Sequence, residues 1–88
     1  MRSKNSKAIN SAESEWMGRV KELPCSVCDT HGPSYAHHVN QGQHFTVIAL
    51  CFECHQGKGG WHGDRTQWRI RKMAEIDALA ITIERMAA

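Results

Sequence analysis

Two cysteine pairs, Cys25-Ser-Val-Cys28 and Cys51-Phe-Glu-Cys54, stand in a chain of 88 residues. They constrain what it can fold into more than any other feature. A chain this short makes one small domain whose apolar core is too small to stabilise it unaided. A two-residue spacing lets both thiolates of a pair reach one tetrahedral ion from a tight turn, so the two pairs together read as a structural zinc site. The chain is then expected to need its zinc to fold. Two disulfides are the alternative, and thiol titration with and without a chelator separates the two. A reducing compartment favours metal. With no apolar N-terminal stretch of signal type and no run long enough to span a bilayer, the expectation is a cytoplasmic protein with no membrane partner.

The histidines supply the second constraint. A four-cysteine site is closed, with no open position for water, so it holds structure and hydrolyses nothing. His37 and His38 lie between the pairs, His55 follows the last cysteine directly and His62 comes soon after. They are free for a different metal. Adjacent residues of a strand point to opposite faces, so one of His37 and His38 can supply a ligand while the other positions a base. Folding around the zinc would also orient His55, because the same knuckle carries it. The bland alternative is a set of packed or hydrogen-bonded histidines.

Along the chain, residues 1–9 are polar and basic without periodicity and read as a mobile basic arm, leaving 10–88 as a single domain. Asn10-Ser-Ala-Glu13 offers a capping box. Ala12, Trp16, Val20 and Leu23 then recur at helical spacing up to Pro24, predicting a helix of about three turns. Ser34 to Val39 has the length of a short strand, and His44 to Leu50 reads as a second strand antiparallel to it. A helical turn through Cys54 and His55 is expected to break at Gly57, Gly59 and Gly60. Asp64 offers a side-chain cap for a further helix. Ile76, Leu79, Ile83 and Met86 form an apolar stripe on a C-terminal helix, expected to pack on the first.

The net charge of +2 is a weak argument for a nucleic-acid partner. Its distribution says more: Arg2, Lys4 and Lys7 crowd the start, while Lys58, Arg65, Arg69, Arg71 and Lys72 follow the last cysteine pair. Lys58, Arg65 and Arg69 are the candidate DNA contacts. Ordinary solvated helix surface is the competing explanation.

The order Cys-x-x-Cys, Ala36-His37-His38-Val39, Leu50-Cys51-x-x-Cys54-His55 and a later histidine resembles the HNH endonucleases, the ββα-metal group with zinc knuckles. More narrowly, Gly42-Gln43, Thr46 to Cys51, Cys54-His55-Gln-Gly57, Trp61-His62-Gly-Asp64-Arg65, Trp68 and Glu75-x-Asp77-x-Leu79-Ala80-x-Thr82-Ile83 resemble the phage RecA-dependent (Ref-like) nucleases. The resemblance covers about Arg19 to Met86. It implies an α+β fold: a small ββα-metal domain stapled by a four-cysteine zinc, with flanking N- and C-terminal helices. It also implies hydrolysis of DNA phosphodiester bonds in phage or prophage recombination inside a bacterial host, with a RecA-type recombinase filament as a further partner.

Carried over by position, His37 is then a ligand of the catalytic metal, His38 the general base and His55 a second ligand. His62 matches the closing histidine, although it lies seven positions beyond His55 with three glycines between. Thr46 stands where the family has asparagine, and Asn40 is a nearby substitute. The catalytic ion would be Mg²⁺ or Mn²⁺, with Zn²⁺ or Ni²⁺ also suited to imidazole ligands. A non-catalytic zinc-knuckle module that binds DNA or a recombination protein is the alternative function, and one tight ion rather than two is its signature. An adaptor docking through its C-terminal helix is a third, and would form concentration-dependent oligomers.

Overall fold

The computed structural model describes residues 8–88; of the basic arm expected over 1–9, the residues before Ala8 lie outside the described residues. The chain runs α1 (Ser11–Lys21), β1 (Tyr35–His38), β2 (Val47–Leu50), α2 (Phe52–His55), α3 (Thr66–Ile70) and α4 (Glu75–Ala87). It is an α+β fold: a two-stranded sheet with four helices.

Asn10 starts α1 as its sequence suggests. Its Oδ1 accepts from the Glu13 amide at 2.8 Å, and Glu13 Oε1 accepts from the Asn10 amide at 3.0 Å, a reciprocal capping box. The strands pair antiparallel with Tyr35 opposite Leu50, Ala36 opposite Ala49, His37 opposite Ile48 and His38 opposite Val47. Alternation therefore gives the sheet two faces. On one, Ile48 and Leu50 pack with Cys25, Val27, Cys54, Trp68 and Ala78. On the other, Val47 and Ala49 pack with Val20 and Met86, and with Trp16, Met17 and Leu23 at the margin. Every residue of β2 is buried, which a two-strand sheet achieves here because α1 and α4 cover what the cysteine knuckles do not.

Both strands are shorter than the sequence suggests. Ser34 and Val39 fall outside β1, and His44 to Thr46 fall outside β2. The β-branched and aromatic character of the second segment is real, but Gln43 N–H donates to Asn40 O and Thr46 Oγ1 donates to Gln43 O, each at 3.2 Å. These bonds hold the chain in a turn, and the ladder is extended only by Val39 N–H to Thr46 O.

The stripe on α4 holds in part, since Leu79 and Met86 pack against the core as expected. Ile76 and Ile83 are exposed, and the buried residues are Ala78, Thr82 and Met86. Small side chains let the helix approach β2 closely, and Thr82 carries a polar junction that hydropathy undervalues. Its Oγ1 lies 2.7 Å from Ser26 Oγ, accepts from the Ala49 amide at 3.3 Å and donates to Ala78 O at 3.0 Å. Ser26 N–H in turn donates to Ala49 O at 2.9 Å, so first knuckle, β2 and α4 meet at one buried point. Replacing the hydroxyl by a methyl leaves the Ala49 amide and the Ser26 hydroxyl without this partner. Thr82→Val is therefore expected to destabilise the fold by about 1–3 kcal/mol in chemical denaturation. A variant as stable as the parent would show that this junction does not hold the layers together.

Among the described residues no helix is long and apolar enough to cross a membrane.

Candidate metal centres

The four cysteines converge. Their Sγ atoms all lie within 4.8 Å of one another, and none is in a disulfide. Tetrahedral zinc with bonds of about 2.3 Å separates its sulfurs by about 3.8 Å. The Cys28 and Cys51 sulfurs are 3.6 Å apart, so little movement is needed. In the first knuckle the Val27 amide donates to Cys25 Sγ at 3.4 Å. Arg85 of α4 donates to the Pro24 and Cys25 carbonyls and pairs with Asp29, bracing the same turn from outside.

Electrostatics point the same way. Burial opposes ionisation of Cys28, but hydrogen bonds from Thr30 and the neighbouring thiols bring it down to about 7. Cys54 is pushed well above the ordinary thiol range, first by burial and then by Cys25 and the other thiols. Four sulfurs this close cannot share negative charge without a cation, and a divalent ion removes the conflict. The cysteines are thus positioned to bind a metal ion, consistent with a structural zinc site.

Three histidines form the second cluster. His37, His55 and His62 each present a ring nitrogen, all within 4.8 Å of one another. Their ring centroids lie 5.1 Å (His37–His55), 5.2 Å (His37–His62) and 4.9 Å (His55–His62) apart, nearly an equilateral triangle with the rings edge-on. The donor set suits a divalent transition metal, whose imidazole nitrogens sit about 2.0–2.1 Å from the ion. His55 Nδ1 is buried without a hydrogen-bond partner, which a bound ion would satisfy. Burial, then His37 and His62, push the His55 imidazole down to about 4, so it is neutral at physiological pH as a ligand must be. Exposure rises around the triangle: His37 is buried, His55 half-buried and His62 exposed, so the site opens to solvent on one side.

His62 reaches its partners because the loop after α2 folds flat. Trp61 N–H donates to Cys54 O at 2.9 Å and His62 N–H to His55 O at 3.0 Å, so the seven-residue separation closes onto the helix. Gly60 and Gly63 permit the approach. A Cβ on Gly60 would lie 2.7 Å from His55 O, and one on Gly63 would collide with the Lys58 and Gly57 carbonyls. Trp61 lies beside His37, ring centroids 6.3 Å apart, and packs on Trp68 of the core at 4.8 Å, while Trp68 Nε1 donates to Cys54 O at 2.9 Å.

His38 is apart from this triangle. As its register dictates, it sits on the opposite sheet face from His37, half-buried, with Nε2 3.1 Å from His44 Nδ1. Burial, then the neighbouring His44 and His37, lower its pKa and favour the neutral ring. Asn40 Nδ2 donates to Gln43 Oε1 and Thr46 Oγ1 to Gln43 O. His44, buried in the turn before β2, is the residue that sequence reading missed, because it looked like the first residue of a strand.

Glu75 was missed as well. Its Oε2 lies 2.7 Å from His37 Nε2, across 38 residues of sequence, and no local pattern signals such a contact. Lys58, Arg65 and Arg69 are exposed around the loop that carries His62. Arg65 stacks its guanidinium 3.7 Å from the Trp61 ring centroid and donates to Trp61 O, while Arg69 donates to Asp64 O and Thr66 Oγ1. Lys58 shares a shallow polar cleft with Glu53, Gly59, Asp64, Thr66 and Gln67.

No protein-family model, curated protein or solved structure matches the chain.

Proposed function

We propose that this chain is a metal-dependent DNA endonuclease of the HNH kind, with a closed cysteine site for structure and an open histidine site for chemistry. The observation that carries the reading is the triangle of His37, His55 and His62, with its buried unpartnered His55 Nδ1 and its solvent-facing edge at His62. Closed structural sites do not leave such an edge, whereas hydrolytic ones need it.

Each residue then has a task. His37, His55 and His62 hold a divalent ion, with Mg²⁺ or Mn²⁺ as the working metal and Zn²⁺ or Ni²⁺ as alternatives. When bound, that ion supplies electrostatic stabilisation of the charge developing on the phosphate and the departing 3′ oxygen. His38 takes the proton from the attacking water. With its Nε2 against His44, Nδ1 is the atom left to accept that proton. For Nδ1 to accept, Nε2 must carry the His38 proton and donate to His44 Nδ1, so His44 would orient the base, the part that the missing asparagine leaves open. Lys58, Arg65 and Arg69 meet the DNA backbone, and the Arg65–Trp61 stack keeps one guanidinium extended beside the site. A RecA-type recombinase filament as partner rests on the sequence resemblance alone.

The test is cleavage of supercoiled plasmid and of a recombinase-coated joint, with Mg²⁺ or Mn²⁺, by the parent chain and by His38→Ala. The variant is expected to keep its zinc and fold and to lose cleavage by about 10²–10⁴-fold, the usual contribution of a positioned base. Undiminished cleavage by His38→Ala removes that role. A parent chain that cuts neither substrate yet binds DNA is the zinc-knuckle module instead.

A further inference from the structure

His37 is the most buried corner of the histidine triangle, with 4% of its surface exposed. A buried imidazole beside a candidate ion must present a lone pair, and rotation or the wrong tautomer would point an N–H at the cation instead. Something has to choose. The 2.7 Å contact from His37 Nε2 to Glu75 Oε2 is short and made to a carboxylate three-quarters buried at the first residue of α4. A carboxylate only accepts, so the proton resides on Nε2 and Nδ1 is the lone pair left for an ion. Glu75 is not among the donors that converge within 4.8 Å, which separates orienting the ligand from being one.

We infer that Glu75 is a positioning residue: it locks the tautomer and ring orientation of His37 and so tunes the affinity of the histidine site for its divalent ion. This rests on the proposed metal site at His37, His55 and His62. A carboxylate behind a ligating histidine raises its basicity, and losing such a partner costs about 10–100-fold in metal affinity. The competing role is purely structural, since an acidic residue in the first turn also favours a helix N-terminus. Asp77 supplies the control. Its Oδ2 accepts from the Ala74 amide at 2.8 Å, capping the same helix end, and the contact of His37 is with Glu75.

The experiment is calorimetric titration of Mn²⁺ into the zinc-loaded full chain, for the parent, Glu75→Ala, Glu75→Gln and Asp77→Ala, with the His37 tautomer read from imidazole ¹⁵N shifts. The parent is expected to bind one Mn²⁺ with His37 protonated on Nε2. Glu75→Ala should bind it about 10–100-fold more weakly with a mixed tautomer. Glu75→Gln, whose amide oxygen still accepts, should keep the tautomer and recover part of the affinity. Asp77→Ala should lower thermal stability and leave Mn²⁺ affinity unchanged. A parent chain that binds no second ion overturns the metal site itself. A parent that binds one while Glu75→Ala binds it equally well, or while Asp77→Ala weakens it as much, overturns the role of Glu75 alone.

Discussion

In a strong chelator the fold is expected to be lost as a whole, because an ion held by the four cysteines would be worth as much as the entire domain. Structural zinc sites contribute about 10–16 kcal/mol of apparent binding free energy at neutral pH. Whole domains are stable by about 5–15 kcal/mol. Here Cys25 and Cys54 are core residues, packed with Ile48, Leu50 and Trp68, so losing the ion leaves competing thiols inside the apolar cluster. Chelation should abolish both the helical circular dichroism and the dispersion of the amide spectrum, and Cys54→Ser should do the same in zinc. Cys28 and Cys51, half-buried, should be milder to replace than the buried Cys25 and Cys54. A chain that keeps native dispersion without metal would show that the apolar clusters suffice alone.

The second large effect comes from a single methyl group. In Gly60→Ala the new Cβ would stand 2.7 Å from His55 O and 2.8 Å from Cys54 C and Glu53 O. All three are backbone atoms of α2, so no side chain can swing aside. The loop must lift, breaking the Trp61–Cys54 and His62–His55 hydrogen bonds that bring His62 to the cluster. The expected cost is about 1–3 kcal/mol in stability, as for other overpacked positions. The accompanying loss of the second metal equivalent is the diagnostic part, since the cysteine ion remains. Gly18→Ala is the control: nothing lies within 4 Å of its added Cβ, and a mid-helix alanine should stabilise α1 by about 0.5–1 kcal/mol. A Gly60→Ala chain that still takes up two ions would show that the histidines do not depend on the loop.

What could be read in advance follows from how local each signal is. The Asn10 capping box, the two knuckles and the helical turn through Cys54 are short-range patterns, and the structure has them where the residues suggest. Strand alternation and the knuckle left open which of His37 and His38 would join His55; the resemblance implied His37, His55 and His62 together, and spacing alone does not give His62, because glycine spacing says nothing of which backbone the loop lies against. Glu75 and His44 act through contacts at long range or within an irregular turn, where sequence carries no period. The α4 face was misread at Ile76 and Ile83 for a different reason. Ile76 and Ile83 outweigh Ala78 and Thr82 on any apolarity scale, yet close approach and the hydrogen bonds of Thr82 decide which side goes inward.

Helix α2 is four residues long, far below what holds a helix together in water, and within it Cys54 and His55 are neighbours. One turn of backbone therefore serves both the cysteine cluster positioned for a metal and the histidine cluster proposed to work with one. If both ions bind, assembly would have an order: the cysteine ion would arrive first, since without it a four-residue helix is not expected to hold the turn that aims His55. The arrangement is an interlock. On the proposed function, a newly made or zinc-starved chain would have no gathered histidines, so the supply of one metal would decide whether the other could be used.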